Sequence, residues 1–181
     1  TSMNIVSIIA SPRKNGNTEK LVNEINRGIR ENHSEITEYF LNDLNLQACQ
    51  GCRRCEKGLE CKIEDDTVEI LQTLQKADLV IFGSPIYFSQ LSAQAKLLID
   101  RFYSVFINPD KEFNAKLILI LTHGFPQGTY DDYLNYAGER TFELAGFNVI
   151  DKMVVGGLHN SGDIKEHEEK LKEAYEIGKK L

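Results

Sequence analysis

Short apolar runs alternate along the whole chain with segments whose apolar residues recur at helical spacing. Five such runs predict β-strands, at residues 5–10, 36–41, 79–83, 117–121 and 149–155. The first, third and fourth runs are almost continuously apolar, which is typical of strands buried on both faces. The second carries Thr37 and Glu38 and suits an edge strand, while Asp151 and Lys152 make the start of the fifth ambiguous.

Apolar stripes at helical spacing predict helices between these strands. The stripes are Leu21, Val22, Ile25 and Ile29; Val68, Leu71 and Leu74; Leu91, Ala95, Leu98 and Phe102; and Leu134, Ala137, Thr141 and Leu144. Asp65 and Asp66 suit the positive end of the second helix, and Gly146 predicts the end of the fourth. A last, densely charged helix is expected over residues 163–181, with its inward positions at Ile164, Leu171, Ala174 and Leu181.

This alternation of strands and helices predicts β-α-β units and therefore a doubly wound parallel sheet in the α/β class. Five strands favour the flavodoxin-like order 2-1-3-4-5, with helices on both faces. The chain has 181 residues, of which 41% are hydrophobic, enough for one domain with a sizeable core. Since no repeat, low-complexity tract or linker marks a boundary, we expect a single domain over residues 1–181.

The charge balance argues against nucleic acid or an anionic membrane surface as a partner. The chain has 21 Lys and Arg against 27 Asp and Glu, a formal net charge of −6, and such a surface is repelled by phosphates. No apolar run approaches the roughly 20 residues of a membrane span. The first residues lack a basic stretch followed by an apolar one, so we expect no export signal and a cytoplasmic location.

All four cysteines fall in the spacing C-x2-C-x2-C-x5-C, as Cys49, Cys52, Cys55 and Cys61. They lie in the one unusually long connection, residues 42–64, and long loops in compact domains are usually functional. Two successive C-x2-C steps let a tight turn present three thiolates to one face, which favours an iron–sulfur cluster. Three alternatives remain open: a four-cysteine zinc site, whose C-x2-C pairs usually stand further apart, a disulfide pair, and thiols without metal.

The first strand is followed by a polar loop with the sequence SPRKNGNT, which leads into the first helix. Ser11, Asn17 and Thr18 supply hydrogen-bond donors, and Arg13 supplies a charge that can pair with phosphate. The amides of a helix N-terminus favour an anion at this place, although Thr18 as a plain helix N-cap is the alternative. Because the loop lacks the glycine signatures of triphosphate and dinucleotide sites, a monophosphate such as flavin mononucleotide (FMN) fits better.

Two further strand ends carry candidate site residues, because ligands of open α/β sheets bind at the carboxyl ends of strands. The third strand is followed by Ser84, Pro85, Ile86, Tyr87 and Phe88, and the fourth ends in Thr122, His123 and Gly124. Tyr87 and Phe88 have core or subunit packing as their alternative. His123 could lie near a flavin or a nicotinamide, but a histidine at a strand end is more often a hydrogen-bonded structural residue.

Three segments in order resemble the NADPH-dependent FMN reductase family. They are SPRKNGNTEKLV at 11–22, CQGCRRCEKGLECKIEDD at 49–66 and ADLVIFGSPIYFSQLSAQAKLLIDRF at 77–102. The full cysteine motif resembles that of the family's iron–sulfur flavoprotein branch. The resemblance runs in register from Met3 to about Phe106, with weaker support through residues 122–124 and the last helix.

The resemblance implies an FMN-dependent oxidoreductase in which the cofactor carries the chemistry and no protein residue need act as acid or base. It places the flavin ring and ribityl chain on residues 84–88, and Thr122 and Gly124 in a third flavin loop. Electrons would come from NAD(P)H or from a ferredoxin-like donor, with a 4Fe-4S cluster on the four cysteines. Members of the family form dimers or pairs of dimers, so a homodimer or homotetramer is expected, with the cysteine segment near a subunit interface.

Two other functions stay open at this point. One is a cluster-free NAD(P)H-dependent FMN or quinone reductase, and the other is a flavodoxin-like electron carrier without turnover. A response-regulator-like receiver shares the fold but should carry acidic residues where this chain has Ser11 and Arg13. The oligomer would bury a set of apolar side chains that otherwise fill the monomer's own core, namely Tyr87, Phe88, Leu91, Tyr103 and Phe106.

Overall fold

Five parallel strands form the centre of the computed structural model, which describes residues 2–181. They are β1 (Ile5–Ile9), β2 (Thr37–Phe40), β3 (Leu79–Tyr87), β5 (Lys116–Thr122) and β6 (Asn148–Val155). A short strand, β4 (Gln90–Leu91), pairs antiparallel with the end of β3. The parallel strands lie in the order β2-β1-β3-β5-β6. Counted without β4, this is the order 2-1-3-4-5, so the predicted flavodoxin-like fold is confirmed.

Helices cover both faces of the sheet. One face carries α1 (Asn17–Ile29) and α6 (Glu168–Lys179), and the other carries α2 (Asp66–Gln75), α3 (Ala93–Arg101), α4 (Tyr103–Phe106) and α5 (Asp131–Tyr136). A π-helical segment, Ala137–Glu143, continues α5. Among the described residues, none of these helices is long and apolar enough to cross a membrane.

Side chains of the central strands alternate between two hydrophobic cores. On β3, Leu79 and Ile81 face α1 and α6, whereas Val80 and Phe82 face the opposite helical layer. Since successive strand residues point to opposite faces, two covered faces require the nearly continuous apolar runs seen in the sequence. Ser7 interrupts this pattern on β1, and its hydroxyl donates to Asn26 Oδ1 of α1 at 2.6 Å, which satisfies the buried group.

Several predicted boundaries and faces were wrong. Ser92 caps α3 by accepting a hydrogen bond from the Ala95 amide, so Leu91 precedes the helix and lies in β4. Val68 is exposed, because Ile70 takes the inward position beside Leu71 in α2. Leu144 is also exposed, since the π-helical segment before it shifts the phase of the helix face.

The first and last helices touch each other backbone to backbone. A Cβ at Gly28 would lie 2.1 Å from Tyr175 O, and a Cβ at Gly178 would lie 2.0 Å from Ile25 O. No real Cβ tolerates such distances to a backbone oxygen, so these two glycines set the closest approach of α1 and α6. The same contact holds the last helix on the sheet.

Replacing Gly178 with alanine tests this contact. We expect Gly178→Ala to lower the free energy of unfolding by at least about 1–3 kcal/mol, because α1 and α6 must separate to admit a methyl group. The control is Gly138→Ala, whose added methyl would meet the flexible Lys152 side chain at 3.3 Å and Val149 Cγ1 at an ordinary contact distance of 3.9 Å. Guanidinium unfolding curves measure both, and equal midpoints for the two variants would contradict the proposed helix contact.

Candidate functional site

One cavity at the carboxyl edge of the sheet collects residues from the ends of four strands. Its lining consists of Ser11, Arg13, Asn17, Thr18, Pro85, Ile86, Tyr87, Thr122, His123, Gly124, Leu158 and His159. The three loops selected from the sequence therefore meet in one place, although they are far apart along the chain. Their role in binding a cofactor stays a prediction.

Two of the predicted residues do not line this cavity. Ser84 is buried, and its hydroxyl accepts a hydrogen bond from the Ser92 amide at 3.1 Å, so it ties β3 to the start of α3. Phe88 is fully exposed at the tip of the β3–β4 hairpin, with φ +48°, and Ser89 follows at φ +66°. Positive φ at both central residues is the geometry of a type I′ turn, which glycine and asparagine adopt more readily.

The predicted phosphate loop joins β1 to α1 without a side-chain cap. Gly16 stands at the N-cap position, and within residues 2–181 no side chain caps the first amides of α1. The alternative of Thr18 as N-cap is therefore wrong, and its hydroxyl lies instead 2.8 Å from Thr122 Oγ1. Arg13 is exposed, with one long bond from Nη1 to His159 O at 3.4 Å. Open helix amides and an exposed arginine are suited to an anion.

Asn17 is buried and mainly braces the protein. Its side-chain Nδ2 donates to Asn160 O at 2.9 Å, and its Oδ1 accepts from the amides of Gly162 and Ile164 at 3.1 and 3.0 Å. These bonds fix the segment that follows β6 against the start of α1. Asn17 therefore shapes the cavity more than it offers a free donor.

His123 is 4% exposed and lines the cavity, yet neither of its ring nitrogens has a hydrogen-bond partner among residues 2–181. Burial lowers the pKa of its imidazole, partly opposed by the charge of Asp131, so the ring is neutral near pH 7. Its ring stands edge-on to Tyr130, with centroids 4.9 Å apart. Buried polar groups are nearly always hydrogen-bonded, so these two nitrogens need a polar partner other than the protein groups of residues 2–181.

The loop after β6 was not selected from the sequence. Leu158 and His159 of this loop line the cavity. A Cβ at Gly156 would lie 2.7 Å from His123 Cε1, so this glycine lets the loop approach the buried histidine. The available signal was topological, since the carboxyl end of the fifth parallel strand must meet the same edge.

The four cysteines line one hollow that shares no residue with the first cavity. Cys49 and Cys52 are exposed, whereas Cys55 and Cys61 are half-buried. Burial raises the pKa of the Cys55 thiol, and the nearby Cys49 and Cys61 raise it further. Within residues 2–181, no three side chains of Cys, His, Asp or Glu come close enough to hold one metal ion.

One residue with left-handed backbone lies in each gap between successive cysteines. These residues are Gly51 (φ +63°), Arg53 (φ +58°) and Gly58 (φ +75°). Left-handed residues are typical of tight turns, and this segment brings all four cysteines to one hollow. Arg53 adopts this conformation at a cost of about 1–2 kcal/mol, and its Nε holds Glu56 at 2.9 Å.

A buried ion pair closes the base of the cysteine segment. The side chains of Arg101 and Asp65 are 2% and 0% exposed, and they form a bidentate pair at 2.7 and 3.1 Å. Asp65 also accepts from the Gln47 amide at 2.7 Å and caps α2 through the Thr67 amide. Burial alone would raise the pKa of the Asp65 carboxyl, but these donors hold it below its ordinary value.

The depressed pKa of Asp65 predicts how stability depends on pH. The ionised carboxylate stabilises the fold above its unfolded pKa of about 3.9, and this contribution is lost as the pH falls through the folded pKa. We expect Asp65→Asn to lower the free energy of unfolding by about 3–5 kcal/mol at neutral pH, because it leaves Arg101 unpaired. Urea unfolding at stepped pH should show this difference shrinking below about pH 4. A difference that stays constant down to about pH 2 would contradict the assignment.

The fold and the cavity at its carboxyl edge define the class of flavodoxin-like proteins. The family model for NADPH-dependent FMN reductases matches residues 3–131. This chain belongs to the NADPH-dependent FMN reductase family.

Individual relatives agree with this membership. The chain is similar to an iron–sulfur flavoprotein of Methanocaldococcus jannaschii, with 43% identity over 99 residues that cover 55% of this chain and 51% of that protein. The chain thus spans about half the length of this relative.

Solved structures share the fold at low identity. The NAD(P)H:quinone oxidoreductase from Methanothermobacter marburgensis has a TM-score of 0.75 and 19% identity, covering 100% of this chain and 98% of that one. An FMN-dependent NADH-azoreductase from Bacillus anthracis, solved in complex with FMN, has a TM-score of 0.73 and 16% identity, with 98% of each chain covered.

Proposed function

We propose that this protein is an FMN-dependent oxidoreductase that receives electrons from NAD(P)H or a ferredoxin-like donor and carries a 4Fe-4S cluster. The observation that carries this proposal is the cavity at the carboxyl edge, where the ends of four strands meet and where the His123 ring nitrogens have no hydrogen-bond partner among residues 2–181. Family membership supports FMN as the ligand of that cavity, and an FMN complex of a protein with the same fold agrees with it.

The cavity offers groups that suit both the phosphate and the ring of FMN. The uncapped amides of α1, the Ser11 hydroxyl and the Arg13 guanidinium would hold the phosphate. Ile86 and Tyr87 offer apolar surface to a flavin ring, and the neutral His123 offers one donor and one acceptor to its polar edge. When bound, FMN supplies both hydride and single-electron chemistry, while the chain binds it, orients it and keeps water from one side.

The cysteine hollow supports the proposed cluster. Four thiolates form a soft donor set that suits iron–sulfur clusters. All four line one hollow, and the segment that carries them contains the non-glycine Arg53 in a left-handed conformation. The name iron–sulfur flavoprotein, carried by the similar Methanocaldococcus jannaschii protein, agrees with this assignment.

We also propose that the protein works as a homodimer or homotetramer in which the cysteine segment lies near an interface. Four of the side chains expected to pack there, Tyr87, Phe88, Tyr103 and Phe106, are exposed in the single chain, so the alternative that they fill its core is wrong. Leu91 is the exception, because its side chain is buried in the core on the face that carries α2 to α5. The two cavities share no residue. We propose that the cluster of one subunit lies near the flavin of its neighbour.

Titration of the apoprotein with FMN tests the first cavity. We expect Arg13→Ala to weaken FMN binding roughly tenfold, since about 1.4 kcal/mol is reasonable for one charge-assisted contact at the surface. Stability should not change, because Arg13 is exposed. Arg140→Ala, which removes an exposed arginine from the π-helical segment, is the matched control. An FMN affinity equal to that of the control would remove Arg13 from the phosphate site.

Metal analysis of protein purified without oxygen tests the second site. We expect wild type to contain iron and sulfide, with a broad absorption shoulder beside the flavin bands that bleaches on reduction. Each single Cys→Ser variant at Cys49, Cys52, Cys55 and Cys61 should lose iron and keep FMN, because serine is a hard, poorly ionised ligand. Full iron content in more than one variant would contradict four-cysteine ligation.

Metal content and NAD(P)H oxidation of the wild-type protein also distinguish the two alternative functions. Zinc or no metal, together with steady NAD(P)H oxidation, would identify a cluster-free reductase. Bound FMN without any NAD(P)H oxidation or ferredoxin-linked turnover would identify an electron carrier.

A further inference from the structure

Arg101 lies on the wall of the cysteine hollow and is almost completely buried. We infer that Arg101 is a positioning residue of the cysteine site, which fixes both ends of the cysteine segment and presents a positive charge to the thiols. This inference rests on the proposed function, because it assigns Arg101 a role toward the proposed cluster.

The guanidinium of Arg101 holds the chain on both sides of the cysteines. Its Nη1 donates to Gln47 O at 3.0 Å, and its Nη2 donates to Ile63 O at 3.3 Å. Gln47 precedes Cys49 by two residues and Ile63 follows Cys61 by two, so one side chain sets the distance between the two ends of the motif. A planar fork with five donors can make these bonds and pair with Asp65 as well, whereas a lysine ammonium cannot.

The charge of Arg101 also faces the thiols. Arg101 lies on the wall of the hollow that the four cysteines line, and its guanidinium stays protonated at every ordinary pH. The Arg101 side chain is 2% exposed, and a buried charge is screened less by solvent and salt than an exposed one. A bound cluster would accept one electron from an added reductant. No proton need come from these side chains. Arg101 therefore favours the more negative, reduced state, and Asp65 opposes it.

Two single variants separate this charge from the mechanical role. Arg101→Gln and Asp65→Asn break the same ion pair and loosen the same segment. If the role of Arg101 is purely structural, the reduction potential of the cluster therefore shifts in the same direction in both variants. An electrostatic role shifts it in opposite directions. Arg101→Gln leaves a carboxylate beside the cluster and lowers the potential, whereas Asp65→Asn leaves an uncompensated guanidinium and raises it.

The experiment is a reductive titration with dithionite, followed by electron paramagnetic resonance, on FMN-loaded and iron-loaded protein. Iron release to a chelator is measured on the same samples. Arg27→Gln is the control, because Arg27 pairs with Glu24 on the exposed side of α1, on the opposite face of the sheet. We expect opposite shifts of potential in the two variants and none in the control.

Arg101→Lys is the second variant, and it decides the matter if the other two do not fold. We expect this variant to keep a potential near that of wild type, because the charge is retained. It should release iron several-fold faster, because the fork is lost.

Shifts of potential in the same direction would overturn the inference, as would loss of the cluster from both single variants with the fold intact. Release of iron from Arg101→Lys at the wild-type rate, or a changed potential in that variant, would overturn it as well. Absence of iron from wild type, which is measured before any variant is made, would instead overturn the proposed function.

Discussion

Burial of the parallel sheet on both faces is the constraint on which the rest of this molecule depends. With helices on each side, the strands have no free surface in their middle, and a polar residue there must be satisfied locally, as Ser7 is by Asn26. Chemistry is therefore confined to the places where strands end. Because all five strands run the same way, loops that are distant in sequence meet at one edge, and the last of them brings Leu158 and His159 to the cavity.

The same constraint explains which features could be predicted from the sequence. Strands buried on both faces are continuous apolar runs in the sequence, so the strands and their order could be predicted. The candidate loops were predicted from the ends of these strands. The end of β3 was not readable in this way. Gly83 and Pro85 suggest a loop, but parallel pairing with β5 continues to Pro85, and antiparallel pairing with β4 extends the strand to Tyr87. Only a tertiary hydrogen-bond partner reveals such a continuation.

Local features that apolar periodicity does not show explain why some helix positions were predicted wrongly. A single hydroxyl at Ser92 fixes where α3 begins, and this moves Leu91 out of the helix. A π-helical segment changes the angle per residue and turns Leu144 towards solvent. Arg101 was missed for a related reason. An arginine in an amphipathic pattern suggests a solvated position, and its burial depends on Asp65, which lies 36 residues earlier.

The three left-handed residues between the cysteines have a consequence for how a metal centre is assembled. Ordering a residue's backbone takes about 1–2 kcal/mol of conformational entropy, and in a zinc finger that entropy is lost when the metal binds, so metal loss unfolds the domain. Here Gly51, Arg53 and Gly58, with the ion pair beneath them, order the segment when the domain itself folds. Loading and folding thus become separate events. Loss of the proposed cluster would then leave the domain folded, with the cysteine segment still held at its base by the ion pair.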